Sequence, residues 1–83
     1  MKKKVLVRIC LPIQDIQCDV LLPQGISVEQ IIYVLVGMLE QQFGTLLVQK
    51  RPLLWLLRTG KALSPEHTLM EQGIKNSDML YLI

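Results

Sequence analysis

Apolar and polar positions alternate twice near the start of the chain. In KVLVRICL, Val5, Val7 and Ile9 fall on one side and Lys4, Leu6, Arg8 and Cys10 on the other, the period of a strand with one buried face. Pro12 ends this run, PIQDIQ supplies a hairpin loop, and QCDVLL alternates again with Cys18, Val20 and Leu22 opposed to Gln17 and Asp19. The two cysteines are therefore expected on opposite faces, Cys18 inward and Cys10 outward, as small hydrophobes rather than a redox pair.

PQG breaks the second strand, and the period then changes to that of a helix. SVEQ has the spacing of a capping box: Ser27 accepts from the amide of the third helical residue while Gln30 reaches back to the Ser27 amide. Val28, Ile31, Leu35 and Met38 or Leu39 recur on one helical face, and Gly44 is the expected stop. Ile32, Tyr33, Val34 and Val36 make the opposite side apolar as well, where a surface helix is ordinarily polar. Two coverings compete. Either the segment 44–52, GTLLVQKRP, folds back over this side, or Ile32, Tyr33 and Val36 form a self-association face of a homo-oligomer. Gly37 would allow another backbone to approach closely, at a cost of about 1 kcal/mol relative to Ala.

LLWLLR predicts a third strand, Thr59-Gly60 a turn and KAL a short fourth strand. SPEHTLMEQGI reads as a loop with a helical turn, left through Gly73. MLYLI is the last strand, with Leu80 and Leu82 inward and Met79, Tyr81 and Ile83 outward.

Composition narrows what such a domain can do. With 83 residues, 51% of them hydrophobic and 19% charged, the chain is expected to form a single domain over 1–83 with a dense aliphatic core and apolar side chains left on its surface. A net charge of +2 is too small to imply nucleic acid. Lys2, Lys3 and Lys4 are read as a solubility feature; without a lipid or amphipathic anchor they would hold a membrane surface only weakly. Arg8 interrupts the first apolar run too soon for a signal peptide, and no run approaches the roughly 18 residues that insert into a bilayer, so the expected location is cytoplasmic, with reduced thiols.

The stretch GKALSPEHTLMEQGI resembles ubiquitin: Gly60, Lys61, Leu63, Thr68, Leu69 and Ile74 keep its spacing without a gap, and the hairpin, helix and third strand precede them in the same order. The resemblance implies an α+β ubiquitin-like β-grasp fold, a mixed sheet of four to five strands wrapped around one helix. Within that superfamily, QGIKNSDMLYLI and the apolar helix after LLPQGISVEQII resemble the YukD/EsaB proteins that accompany type VII (WXG100) secretion in Gram-positive bacteria. That likeness implies a cytoplasmic adapter or regulator that contacts other proteins, among them a membrane-bound secretion subunit. The segment FGTLLVQKRP departs from ubiquitin, which has a shorter polar connection there.

The chemistry of related modifiers is expected to be absent. Conjugation and sulfur transfer use a flexible Gly-Gly tail, whereas this sequence ends in strand at Ile83; a modifier or sulfur carrier lacking its tail is the alternative reading. An iron–sulfur centre on this fold needs four thiolates, and Cys10 and Cys18 supply two. One histidine, His67 in a polar loop, makes neither a zinc site nor a catalytic set, and the carboxylates read as solvated charges. No metal, cofactor or enzymatic activity is expected.

What remains is surface. If Leu54 and Leu56 face the core, Trp55 and Leu57 project from the open sheet face beside Tyr81 and Ile83, and these four residues are the expected protein-binding patch. Leu57 and Ile83 fall where the resemblance to ubiquitin-like domains implies an apolar recognition patch. The opposite parity, or a Trp55 packed under the longer loop, is the competing arrangement.

Overall fold

In the computed structural model, which describes residues 3–83, the two alternating runs form β1 (Lys4–Leu11) and β2 (Ile16–Pro23). They pair antiparallel with Val5 opposite Leu22, Val7 opposite Val20 and Ile9 opposite Cys18, so the inward positions of both runs share one face. The expectation placed on Lys2 lies outside the described residues. Between the strands, Pro12–Gln14 make a 3-10 turn, and Asp15 closes it in the left-handed region at φ 52°.

Helix α1 (Val28–Phe43) begins at Ser27, whose Oγ accepts from the Gln30 amide at 3.3 Å, one half of the expected box. The next amides are met from farther along the chain: Val28 N–H donates to the His67 carbonyl at 2.9 Å and Glu29 N–H to that of Pro65 at 3.0 Å. The loop that precedes the last strand thus caps the helix. At the other end Gly44 has φ 82° and ψ −159°, a conformation open essentially to glycine, and its N–H donates to the Glu40 carbonyl. Gln14 ties this end to the hairpin, accepting from Leu47 N–H at 2.6 Å and donating to the Thr45 carbonyl at 3.1 Å.

The sheet is completed by β3 (Leu54–Leu56), β4 (Lys61–Ala62) and β5 (Asp78–Leu82), in the order β2-β1-β5-β3-β4. Only β1 and β5 run parallel; the other neighbours are antiparallel. This is an α+β ubiquitin-like fold, one helix against a mixed sheet of five strands. The third strand is shorter than LLWLLR predicts, because Leu57 already belongs to the turn. Its hydrogen bonds nevertheless extend beyond the strand: Leu53 and Ile83 exchange both N–H···O bonds, and Leu57 N–H donates to the Met79 carbonyl.

The helix buries Val28, Ile31, Ile32, Leu35 and Leu39 against Val5, Val7, Ile9 and Leu11 of β1, Leu54 and Leu56 of β3, and Leu80 and Leu82 of β5. Each such aliphatic side chain stabilises the fold by about 1.5–3 kcal/mol relative to exposure. Leu39 takes the last core position that the periodicity shares between Met38 and Leu39; Met38 is exposed.

One expectation is corrected here. Ile32 is 8% exposed and belongs to the core, so it is not an open self-association residue; the apolar stripe is wide enough at its start to take in both Ile31 and Ile32, the i+3 and i+4 neighbours of Val28. Cys10 lies on the outer face, as its parity requires, yet is only 3% exposed, set in register between Gln17 and Tyr81.

Candidate protein-binding surface

The helix covers one face of the sheet. On the other, the registers of four strand pairs place Gln17, Cys10, Tyr81, Trp55 and Ala62 in one row across all five strands. Trp55 is 36% exposed and directly opposite Tyr81, which is half-buried, while its neighbours in sequence, Leu54 and Leu56, are buried. Strand alternation thus has the parity that puts Trp55 on the outer face, and residues so opposed have Cβ atoms about 4.5–5.5 Å apart.

The other two expected members are placed differently. Leu57 is exposed in the turn after β3, its amide held by Met79, whereas Ile83 is half-buried beside Leu53, at the opposite end of the β5 ladder. Trp55 and Tyr81 therefore lie together at the centre, with Leu57 and Ile83 flanking them at either end.

Sequence reasoning did not single out a second apolar pair on this face. Leu6 and Leu21, both exposed, are in register across β1 and β2. Their signal was present: each is a leucine at an otherwise polar position of an alternating run. Between this pair and Cys10 sits the ion pair of Arg8 and Asp19, Nε to Oδ1 at 3.0 Å, which holds the guanidinium above its ordinary pKa through that hydrogen bond. Leu6, Arg8, Asp19, Ser77 and Met79 line a shallow groove there of about 250 Å³. The outer face thus offers an aromatic centre and an apolar end separated by one ion pair, a composition suited to a protein partner.

The expected self-association residues separate on the helix. Tyr33 is 84% exposed, Val36 is half-buried and Ile32 is buried. Within the segment 44–52 Leu46 is buried and Val48 packs on the core, while Tyr33 and Val34 stay open to solvent.

The polar groups do structural work. Asp78 is not a freely solvated carboxylate, since Arg58 and the Lys75 amide both bond to it. Thr68 and Glu71 form a reciprocal capping box, Thr68 N–H to Glu71 Oε1 at 2.9 Å and Glu71 N–H to Thr68 Oγ1 at 3.1 Å; the T-x-x-E spacing announces it in the sequence. His67 Nδ1 stands 3.7 Å from Glu71 Oε2 in the same exposed loop. Burial pushes the Cys10 and Cys18 thiols up from their ordinary pKa. Among the described residues no cluster of three or more His, Cys, Asp or Glu could hold a metal ion, and no helix is long and apolar enough to cross a membrane.

No protein-family model matches the sequence, nor does any curated protein. Solved structures do. The EccD5 ubiquitin-like domain from Mycobacterium xenopi superposes with a TM-score of 0.79 at 24% identity, over 98% of this chain and 93% of that one. The ubiquitin-like domain of the Mycobacterium tuberculosis type VII secretion system protein EccD1 gives 0.78 at 18% identity, over 98% of each chain. A chain of the MycP5-free ESX-5 inner membrane complex gives 0.70 at 23% identity, over 96% of this chain and 20% of that one. At these identities the likeness shows the fold: this is a ubiquitin-like β-grasp domain similar to those of type VII secretion components.

Proposed function

We propose that this chain is a non-catalytic ubiquitin-like adapter of a type VII (WXG100) secretion system, of the YukD/EsaB kind, working in the cytoplasm through protein contacts made by its outer sheet face. The observation that carries the reading is the in-register pair of Trp55 and Tyr81 on the face the helix leaves uncovered. Tryptophan and tyrosine combine large apolar area with a polar tip and few rotatable bonds, which is why they dominate binding hot spots.

The likeness to EccD ubiquitin-like domains and to part of the ESX-5 inner membrane complex supports a membrane-bound secretion subunit as the partner. The disposition of the polar groups supports a non-catalytic role: the Cys10 thiol is buried and that of Cys18 partly so, while Glu71 caps a loop and Asp78 clamps Arg58. Fold alone does not carry function, so the test is made on the surface.

Affinity capture from the native host with the intact chain, alongside a Trp55→Asp variant of unchanged circular dichroism, decides the matter. The reading expects the wild-type chain to recover a membrane-bound secretion subunit and the variant to lose it. Equal recovery by both chains, or recovery of an adenylating enzyme in its place, would overturn the reading.

A further inference from the structure

We propose that the groove beside α1 seats a second copy of this chain, giving a two-fold dimer in which the acidic wall of one copy meets the basic wall of the other. The groove holds about 980 Å³. One wall is a single helical stripe carrying Glu29, Tyr33, Val36 and Glu40; the other is the segment that leads into β3, carrying Lys50 and Arg51. Its apolar lining includes Pro52, Leu53 and the small exposed edge of the core residue Ile32, and at Gly37 a side chain would meet nothing within 4 Å, so the helix surface is notched there.

Charge selects the occupant. The ion pairs among the described residues are Arg8–Asp19, Arg58–Asp78 and His67–Glu71, so neither Glu29, Glu40, Lys50 nor Arg51 is paired. A ligand of one sign, such as a nucleic acid or an acidic peptide, would be repelled by one wall. A surface carrying both signs on opposite walls is its own complement under a two-fold axis, the geometry of an isologous dimer. The same operation brings the open phenol of Tyr33 to the apolar lining of the other copy, as an aromatic anchor requires.

Sedimentation equilibrium of the intact chain from micromolar to millimolar concentration tests this with two charge-reversed variants, Glu29→Lys/Glu40→Lys and Lys50→Glu/Arg51→Glu. The proposal expects the wild-type chain to reach the dimer mass, each variant alone to bind itself at least tenfold more weakly, and an equimolar mixture of the two to dimerise again. Tyr33→Ala, at an open position where folding is undisturbed, is expected to weaken association at least tenfold. A wild-type chain that stays monomeric into the millimolar range overturns the proposal and leaves the groove to a different partner. Variants that dimerise like wild type, or a mixture that fails to recover, overturn it as well.

Discussion

Arg58 grips Asp78 through both carboxylate oxygens, Nε to Oδ1 at 3.1 Å and Nη2 to Oδ2 at 2.9 Å. The same guanidinium donates to the Gly73 carbonyl at 3.2 Å, and Asp78 Oδ2 accepts the Lys75 amide at 2.8 Å. One carboxylate thereby joins the turn after β3, the loop that follows Gly73 and the first residue of β5. The Asp78 side chain is only 11% exposed, and Arg58 holds its carboxyl below the usual range even though burial acts in the opposite direction.

Asp78→Asn keeps the shape of the side chain and removes the charge, so the clamp weakens and one of the donors facing this largely buried carboxylate meets an amide NH2 in place of an oxygen. The expected loss is about 1–3 kcal/mol at neutral pH, measured by urea denaturation. A depressed folded-state pKa contributes stability above the unfolded value, about 3.9 for Asp, and loses it as the pH falls through the lower folded value. The gap between wild type and variant should therefore close in acid. A gap of unchanged size at a pH of about 2 would show that the charge of Asp78 is not its source.

Alternation and capping signals made much of the fold legible. The runs around Val7 and Val20, the Ser27 start and Gly44 stop of the helix, and the Leu80–Leu82 strand stand close to where the pattern puts them. Periodicity names the face of an element but not what covers it. Ile32 was misjudged for that reason, since it sits at the edge of a broad core stripe; Cys10 lies on the outer face as its parity requires, and its shielding between its neighbours in the row is what parity does not tell. The Arg58–Asp78 clamp was invisible because its partners stand 20 residues apart and meet only when β3 and β5 pair. Trp55 and Tyr81 could each be placed by parity, but their direct opposition is a matter of register, which depends on the ladder as a whole.

Adjacent helix positions should respond very differently to truncation. Ile32→Ala empties a core site and is expected to cost about 2–5 kcal/mol, whereas Tyr33→Ala should stay within about 0.5 kcal/mol. Chemical denaturation at low protein concentration, where association does not contribute, compares them. Similar losses for the two would mean that Ile32 is not packed in the core as described.

Trp55 is the chain's single tryptophan, so its fluorescence reports the outer face directly. Its partial exposure predicts emission quenched by iodide in the free chain and protected when a partner occupies the sheet. Leu54→Ala, beside it but buried, should destabilise the fold by about 2–5 kcal/mol, while Trp55→Ala should change stability far less. A tryptophan already inaccessible to iodide in the free chain would refute its placement on an open face.

The thiols provide the last test, because their placement follows from register alone. Ile9 stands opposite Cys18, so Cys10 is one residue along on the other face of the sheet, and the two sulfurs point away from each other. Oxidation of the folded monomer should produce no intramolecular disulfide, as judged by mass spectrometry without reductant. Burial raises both pKa values, so little thiolate is present at neutral pH and both cysteines should react with an aromatic disulfide reagent more slowly than a free thiol. Cys18 is the more exposed of the two and should react first, and Cys18→Ala should remove the faster phase. A fast phase that survives this substitution, or an internal disulfide formed without denaturant, would contradict the pairing of β1 with β2.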